Sequence, residues 1–204
     1  MNDVDEHDFP GTRRDLLRRG AVAGGLALGA GAFLSVRPDE ALPAPSKALD
    51  EKIFDFALLL EYLQAGFYGE AVQHGALRGE VRQFAEVVAD HERQHVAYLR
   101  KALGTKARPR PTFRFGDATR DQRKFLETAV LLENIGVAAY NGQAAKLTKP
   151  ALSAAAEIVS VEGRHAAWIS DIAGKPPAPR AADPGETADQ VTAALRATGF
   201  LKRS

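Results

Sequence analysis

Four stretches of this chain repeat apolar residues at the spacing of one helix face, and each breaks that repeat near its middle with a glutamate. The first stripe is Phe54, Leu58, Glu61, Ala65, Tyr68 and Val72. The second is Val81, Ala85, Val88, Glu92, His95, Leu99 and Ala102. The third is Leu126, Val130, Glu133, Val137, Tyr140, Ala144 and Leu147. The fourth is Ala151, Ala155, Ile158, Glu162, His165, Ile169 and Ile172. An unpaired charge buried in an apolar core costs several kcal/mol, against a whole stability margin of about 5–15 kcal/mol. No Lys or Arg falls on any of the four stripes, so a fold that buries them must obtain positive charge from outside the chain.

Helix signals bound the same four stretches. The first runs from about Ser46 to Gln73 and ends in His74-Gly75, and the second runs from about Gly79 to Leu103 and stops at Gly104. The third opens near Asp117–Asp121, where Asp and Thr serve as N-caps, and continues to about Leu147. The fourth opens at Pro150, which suits a first helical turn, and ends at Gly174 before two prolines. The first and third connections are short and join antiparallel neighbours. The middle one, Gly104 to Arg120, is long and contains Pro109, Pro111 and Gly116. Short, long, short is the connectivity of an all-α four-helix bundle with one long crossover. A last amphipathic segment, Glu186 to Leu201, adds a short C-terminal helix that can pack Val191, Leu195 and Leu201 on the outside. The expected organisation is a leader over 1–44, the bundle over 46–174 and an extension over 175–204.

The two halves of the bundle repeat. Leu59-Leu60-Glu61 with Tyr68 matches Leu131-Leu132-Glu133 with Tyr140 at an offset of 72, and Glu92-x-x-His95 matches Glu162-x-x-His165 at an offset of 70. Two helix hairpins related by a twofold axis bring these six polar side chains around one point. Positions three apart share a helix face, so Glu and His of each Glu-x-x-His can reach one ion. Two divalent cations, +4 in all, balance the −4 of the four glutamates, with the histidines as neutral nitrogen donors. The chain has 0 cysteines, which excludes disulfides, thiolate metal sites and cysteine nucleophiles. An all nitrogen and oxygen donor set suits iron or manganese. The predicted ligands are Glu61, Glu92, His95, Glu133, Glu162 and His165.

At these residues, over about 50–174, the sequence resembles the ferritin-like superfamily, whose pattern is a Glu followed by Glu-x-x-His, repeated once. The resemblance implies that Glu92 and Glu162 bridge the two metals and that Glu61 and Glu133 bind terminally. It implies a redox-active dinuclear iron or manganese centre acting on dioxygen, peroxide or ferrous iron. A metal-binding envelope protein without catalysis is the alternative, and the oligomeric state is left open.

His91-Glu92-x-x-His95 also fits the His-Glu-x-x-His pattern of zinc hydrolases. The repeat preserves Glu92 and His95 but puts Val161 opposite His91, and the zinc reading leaves Glu61, Glu133, Glu162 and His165 unexplained. His91 is therefore read as partly exposed or as backing a ligand. Tyr68, Tyr140, Tyr98 and Trp168 are read as packing, and Glu127 and Glu157 as surface charges. Residues 1–44 resemble a twin-arginine export leader: Arg13-Arg14, then Leu16-Leu17-Arg18 and a weakly apolar Ala21–Val36 too short for a good membrane span. Export to the periplasm, envelope or medium follows from that reading, with membrane contact through the leader alone. A net charge of +1 without an aromatic-interleaved basic patch gives no basis for a nucleic-acid partner.

Overall fold

The computed structural model of the chain describes residues 42–201. The expected export leader, residues 1–44, falls outside them up to residue 41. Five α-helices occur among the described residues: α1 Lys47–His74, α2 Gly79–Leu103, α3 Gln122–Ala144, α4 Lys149–Ile172 and α5 Ala188–Thr198. No helix among the described residues is long and apolar enough to cross a membrane. The fold is the expected all-α bundle with a short C-terminal helix.

Helix ends follow local chemistry. Ser46 caps α1 by accepting from the Leu49 backbone N–H, and Asp121 caps α3 by accepting from Lys124. Helix α4 starts at Lys149 with Pro150 in its first turn. Its lead-in is fixed by Asp50 of α1, which accepts from the Thr148 N–H at 2.9 Å and from the Thr148 hydroxyl at 2.6 Å. Helix α5 is shorter than its amphipathic pattern because Thr187 and Gln190 form a capping box at one end and Gly199 ends it at the other.

The core divides into two apolar clusters, and the order in which each helix meets them gives the topology. Helix α1 begins in a cluster with Ile53, Phe54 and Leu58 and ends in one with Phe67 and Ala71. Helix α2 begins beside Phe84 and ends at Leu99 and Leu103, and α3 likewise runs from Phe125 to Tyr140. Helix α4 runs back from Ala151 to Ile169. Thus α1 and α2 are antiparallel, α3 and α4 are antiparallel, and α2 and α3 point the same way. The connection between α2 and α3 must therefore travel the length of the bundle. Phe113 on this crossover packs against both clusters.

Arg108 ties the crossover down by donating to Asp55 of α1 from its backbone N–H and from two guanidinium nitrogens, at 2.6–3.0 Å. The Arg108 side chain holds the Asp55 carboxyl below its ordinary pKa, against the smaller opposing effect of burial. The C-terminal extension returns to α3, where the Glu186 N–H donates to the Ala138 carbonyl at 2.9 Å. The crossing point needs glycine: a Cβ on Gly142 would lie 1.8 Å from the Glu186 carbonyl oxygen. Val191 and Leu195 of α5 are buried, as expected, and Leu201 is half-buried beside Phe113.

The stripe assigned to α3 is displaced in its first half. Phe125 and Ala129 are 0% exposed, while the expected Leu126 and Val130 are half-buried. The reason is aromatic packing. Phe67 stacks on Phe125 at 5.1 Å and 6° and meets Tyr68 and Phe115 edge-on, so α3 turns Phe125 inward. Phe67 stands at the centre of this cluster, and Phe67→Ala is expected to cost about 3–5 kcal/mol by denaturant unfolding of the full chain.

Candidate metal centre

The four stripe glutamates and two histidines converge where the two apolar clusters meet. Glu92, Glu133 and Glu162 are 0% exposed, Glu61 1%, His165 3% and His95 8%. They form two overlapping groups that could hold metal ions: Glu61, Glu92, His95 and Glu162, and Glu92, Glu133, Glu162 and His165. In each group one donor atom per residue lies within 4.8 Å of all the others. Both histidines turn Nδ1 toward the carboxylates. His95 Nδ1 lies 3.3 Å from Glu61 Oε2, 3.5 Å from Glu92 Oε2 and 3.2 Å from Glu162 Oε1. His165 Nδ1 lies 3.3 Å from both Glu92 Oε1 and Glu133 Oε2 and 3.9 Å from Glu162 Oε1. Glu92 thus presents one oxygen to each histidine, whereas Glu162 presents the same oxygen to both.

Whether this donor set fits a metal can be judged from its unmatched atoms. Glu61 Oε2, both oxygens of Glu92, Glu133 Oε2, Glu162 Oε1 and the Nδ1 atoms of His95 and His165 are buried without a hydrogen-bond partner. Buried polar groups are normally matched, and a cluster of unmatched lone pairs facing one point is what a cation would satisfy. The only other such atom among the described residues is Gln143 Nε2. No Lys or Arg forms an ion pair with the four glutamates among the described residues. The residues present therefore fit metal.

The oxygens turned away from the centre are held by the protein. Tyr140 donates to Glu61 Oε1 at 2.6 Å, and Tyr68 donates to Glu133 Oε1. Each tyrosine lies seven residues past its own helix's glutamate but bonds the glutamate of the other half. Both had been expected to be packing residues. Their rings are indeed buried, but their hydroxyls bind the candidate ligands. Gln64, absent from the stripes, donates from Nε2 to Glu133 Oε1 at 3.1 Å and to Glu162 Oε2 at 3.4 Å. It is three residues past Glu61 on the same face, and a polar residue there was the available signal.

Gly136 makes room for this arrangement: a Cβ there would meet Glu162 Oε2 at 2.7 Å. His91 belongs to neither group. Its Nδ1 is 2.9 Å from His165 Nε2, and the two rings stack at 5.1 Å, so it backs a candidate ligand. Trp168 packs edge-on against Phe84 and donates to Glu80 at 2.9 Å, but Tyr98 is 40% exposed and does not pack beside the site as expected. Glu127 and Glu157 are exposed, as read.

Without a cation, protons supply the missing positive charge. Burial pushes the Glu92 and Glu162 carboxyls well above their ordinary 4.5, and the neighbouring glutamates push further. Burial lowers His95, but contacts with Glu162, Glu61 and Glu92 outweigh it and carry its pKa up to about 12. Glu61 is lowered instead: burial raises it, but His95, Glu92 and Tyr140 prevail. Burial, then Glu133 for Tyr68 and Glu61 for Tyr140, pushes both phenols well above 10.0, so both remain donors.

A cleft of about 440 Å³ between α2 and α4, lined by His91, Gln94, Val161, Arg164 and Trp168, reaches His95 and His165. The ferritin-like domain family matches residues 49–175, more than half of the chain. No curated protein matches the sequence.

These shifts fix a pH dependence. Glu92, Glu162 and His95 have folded pKa values above their unfolded values of 4.5 and 6.5, so the metal-free fold binds more protons than the unfolded chain. Their contribution to stability is fully present below pH 4.5 and is lost as pH rises; Glu61 acts the opposite way, but only at the acid end. We predict that the melting temperature in chelator falls from about pH 5.5 to about pH 8. Excess divalent metal displaces these protons and binds better at high pH, so it should flatten or reverse that slope. A rising melting temperature in chelator would contradict the proton-for-metal exchange.

Proposed function

The chain belongs to the ferritin-like family, and from that premise we propose that Glu61, Glu92, His95, Glu133, Glu162 and His165 hold two divalent ions, iron or manganese, in a redox-active centre. The observation that carries this reading is the set of seven unmatched donor atoms on those six residues facing one buried point. Glu61 and His95 would serve one ion and Glu133 and His165 the other, with Glu92 and Glu162 shared. Such a pair of ions supplies one- and two-electron chemistry toward dioxygen, peroxide or ferrous iron.

The protein's own groups do the rest. The two apolar clusters exclude water from above and below. Tyr68, Tyr140 and Gln64 donate to the carboxylate oxygens that face away from the centre and so direct the others inward. The cleft between α2 and α4 gives a small reactant a path to the histidine side. Export by the twin-arginine route also belongs to this proposal. It rests on Arg13-Arg14 and the apolar segment after them.

Elemental analysis of protein made in its native host tests the reading: two iron or manganese ions per chain are expected, with oxygen consumed when ferrous iron is added to the metal-free form. One zinc per chain, or no metal, would overturn it.

Substitution separates this centre from a His-Glu-x-x-His zinc site. Glu133→Gln keeps an acceptor for Tyr68 but removes a charge, and is expected to lose at least one ion per chain. It should lower the melting temperature with metal, since bound metal stabilises only the folded state, and raise it in chelator by relieving carboxylate repulsion. His91→Ala is expected to bind two ions at saturating metal. A zinc site would give the reverse order, with metal lost in His91→Ala and kept in Glu133→Gln.

Replacing Arg13 and Arg14 with lysine is expected to leave the protein in the cytoplasm by fractionation. Unchanged localisation would refute twin-arginine export.

A further inference from the structure

The sequence repeat makes the two halves of the centre near-copies, so the places where it fails are informative. Among the positions where it fails, two carry a side chain that hydrogen-bonds a candidate ligand. Gln64 corresponds to Gly136 at the offset of 72, and His91 corresponds to Val161 at the offset of 70. Both exceptions favour the same half.

Gln64 Nε2 is 3.1 Å from Glu133 Oε1, the oxygen that Tyr68 also holds. Glu61, the corresponding carboxylate, accepts from Tyr140 at 2.6 Å, and Gly136 has no side chain with which to add a second donor. His91 acts on the ring of His165. A nitrogen that gives its lone pair to a cation carries no proton, so with Nδ1 facing the carboxylates the His165 proton belongs on Nε2. That nitrogen is 2.9 Å from His91 Nδ1, which accepts it, and stacking at 16° holds the ring plane. Val161 offers His95 no such acceptor, and His95 is the more exposed of the two at the cleft, 8% against 3%.

We propose that Gln64 and His91 are positioning residues that make the two halves unequal, so that the Glu133–His165 half takes the first metal ion and the Glu61–His95 half, whose histidine is the more exposed to the cleft, is the exchangeable one. The inference rests on the dinuclear reading above. Its physical basis is preorganisation: donors already fixed in place lose less freedom when an ion binds.

Manganese(II) is the probe, added to the metal-free full chain. Crystals holding one equivalent are expected to show manganese anomalous scattering beside His165. In His91→Ala and in Gln64→Leu the ion is expected to move to the His95 side or divide between the two, and the first binding step to weaken by up to about 10-fold in a titration that counts free manganese by electron paramagnetic resonance. His91→Asn, whose carboxamide oxygen can accept the same hydrogen bond, is expected to restore wild-type placement and affinity. Melting temperatures in chelator identify any variant that merely weakens the fold. Equal occupancy of both halves in the wild type, first occupancy beside His95, placement unchanged in both variants, or failure of His91→Asn to restore it would each overturn the proposal. Binding of no metal would remove the dinuclear reading with it; two ions that the variants leave undisturbed would remove only this inference.

Discussion

Four carboxylates occupy one buried layer of this bundle, and no Lys or Arg of the described residues lies among them. Their mutual repulsion and their loss of hydration set the terms for everything around them. The layer can be neutral only by holding protons or by holding cations. In the absence of cations Glu92, Glu162 and His95 all bind protons more tightly than usual. The apolar clusters on either side raise the cost of leaving the charge uncompensated, and so strengthen the demand for a cation. The same burial keeps Tyr68 and Tyr140 protonated, which lets them act as donors to the carboxylates.

The bundle's topology assembles this layer from both hairpins. Tyr68 of α1 bonds Glu133 of α3, and Tyr140 of α3 bonds Glu61 of α1, so neither hairpin completes its own half. The long crossover is what allows α2 and α3 to run in the same direction. Its anchoring by Arg108 on Asp55, and the seating of Phe115 and Arg110 against Gly66, bind it along α1. The C-terminal extension clamps α3 at Gly142 from outside. These contacts brace the helices that carry the candidate ligands, as a site whose donors must be held in fixed geometry requires.

Approximate symmetry supplies the six candidate ligands, and departures from it make their two halves unequal. The cleft opens between α2 and α4, on the side of the two histidines. His91, Arg164 and Trp168 line it next to the two histidines, whereas the tyrosine-held faces of the carboxylates are closed. The two similar halves of the candidate centre therefore differ in exposure and in the side chains that support them.

The sequence by itself determined the helices, their connectivity and the six converging residues. Helix periodicity is local, and a glutamate on an otherwise apolar stripe cannot be placed elsewhere without turning that stripe to solvent. It also showed the duplication, because repeat offsets need no coordinates. What only the tertiary structure decided is which atoms meet across helices. Heptad spacing places Tyr68 on the right face of α1, but only the arrangement of α1 against α3 shows that its hydroxyl reaches Glu133 instead of merely packing. Gln64 lies one position off the stripe, and its role depends on space left by Gly136 on another helix. The phase of the start of α3 is set by Phe67 stacking on Phe125, a contact between residues far apart in the chain. The His-Glu-x-x-His spacing singles out His91 on its own helix, but only the packing of α2 against α4 shows that its partner is His165. Periodicity fixes which face a residue occupies; the partner it finds there depends on how distant helices pack.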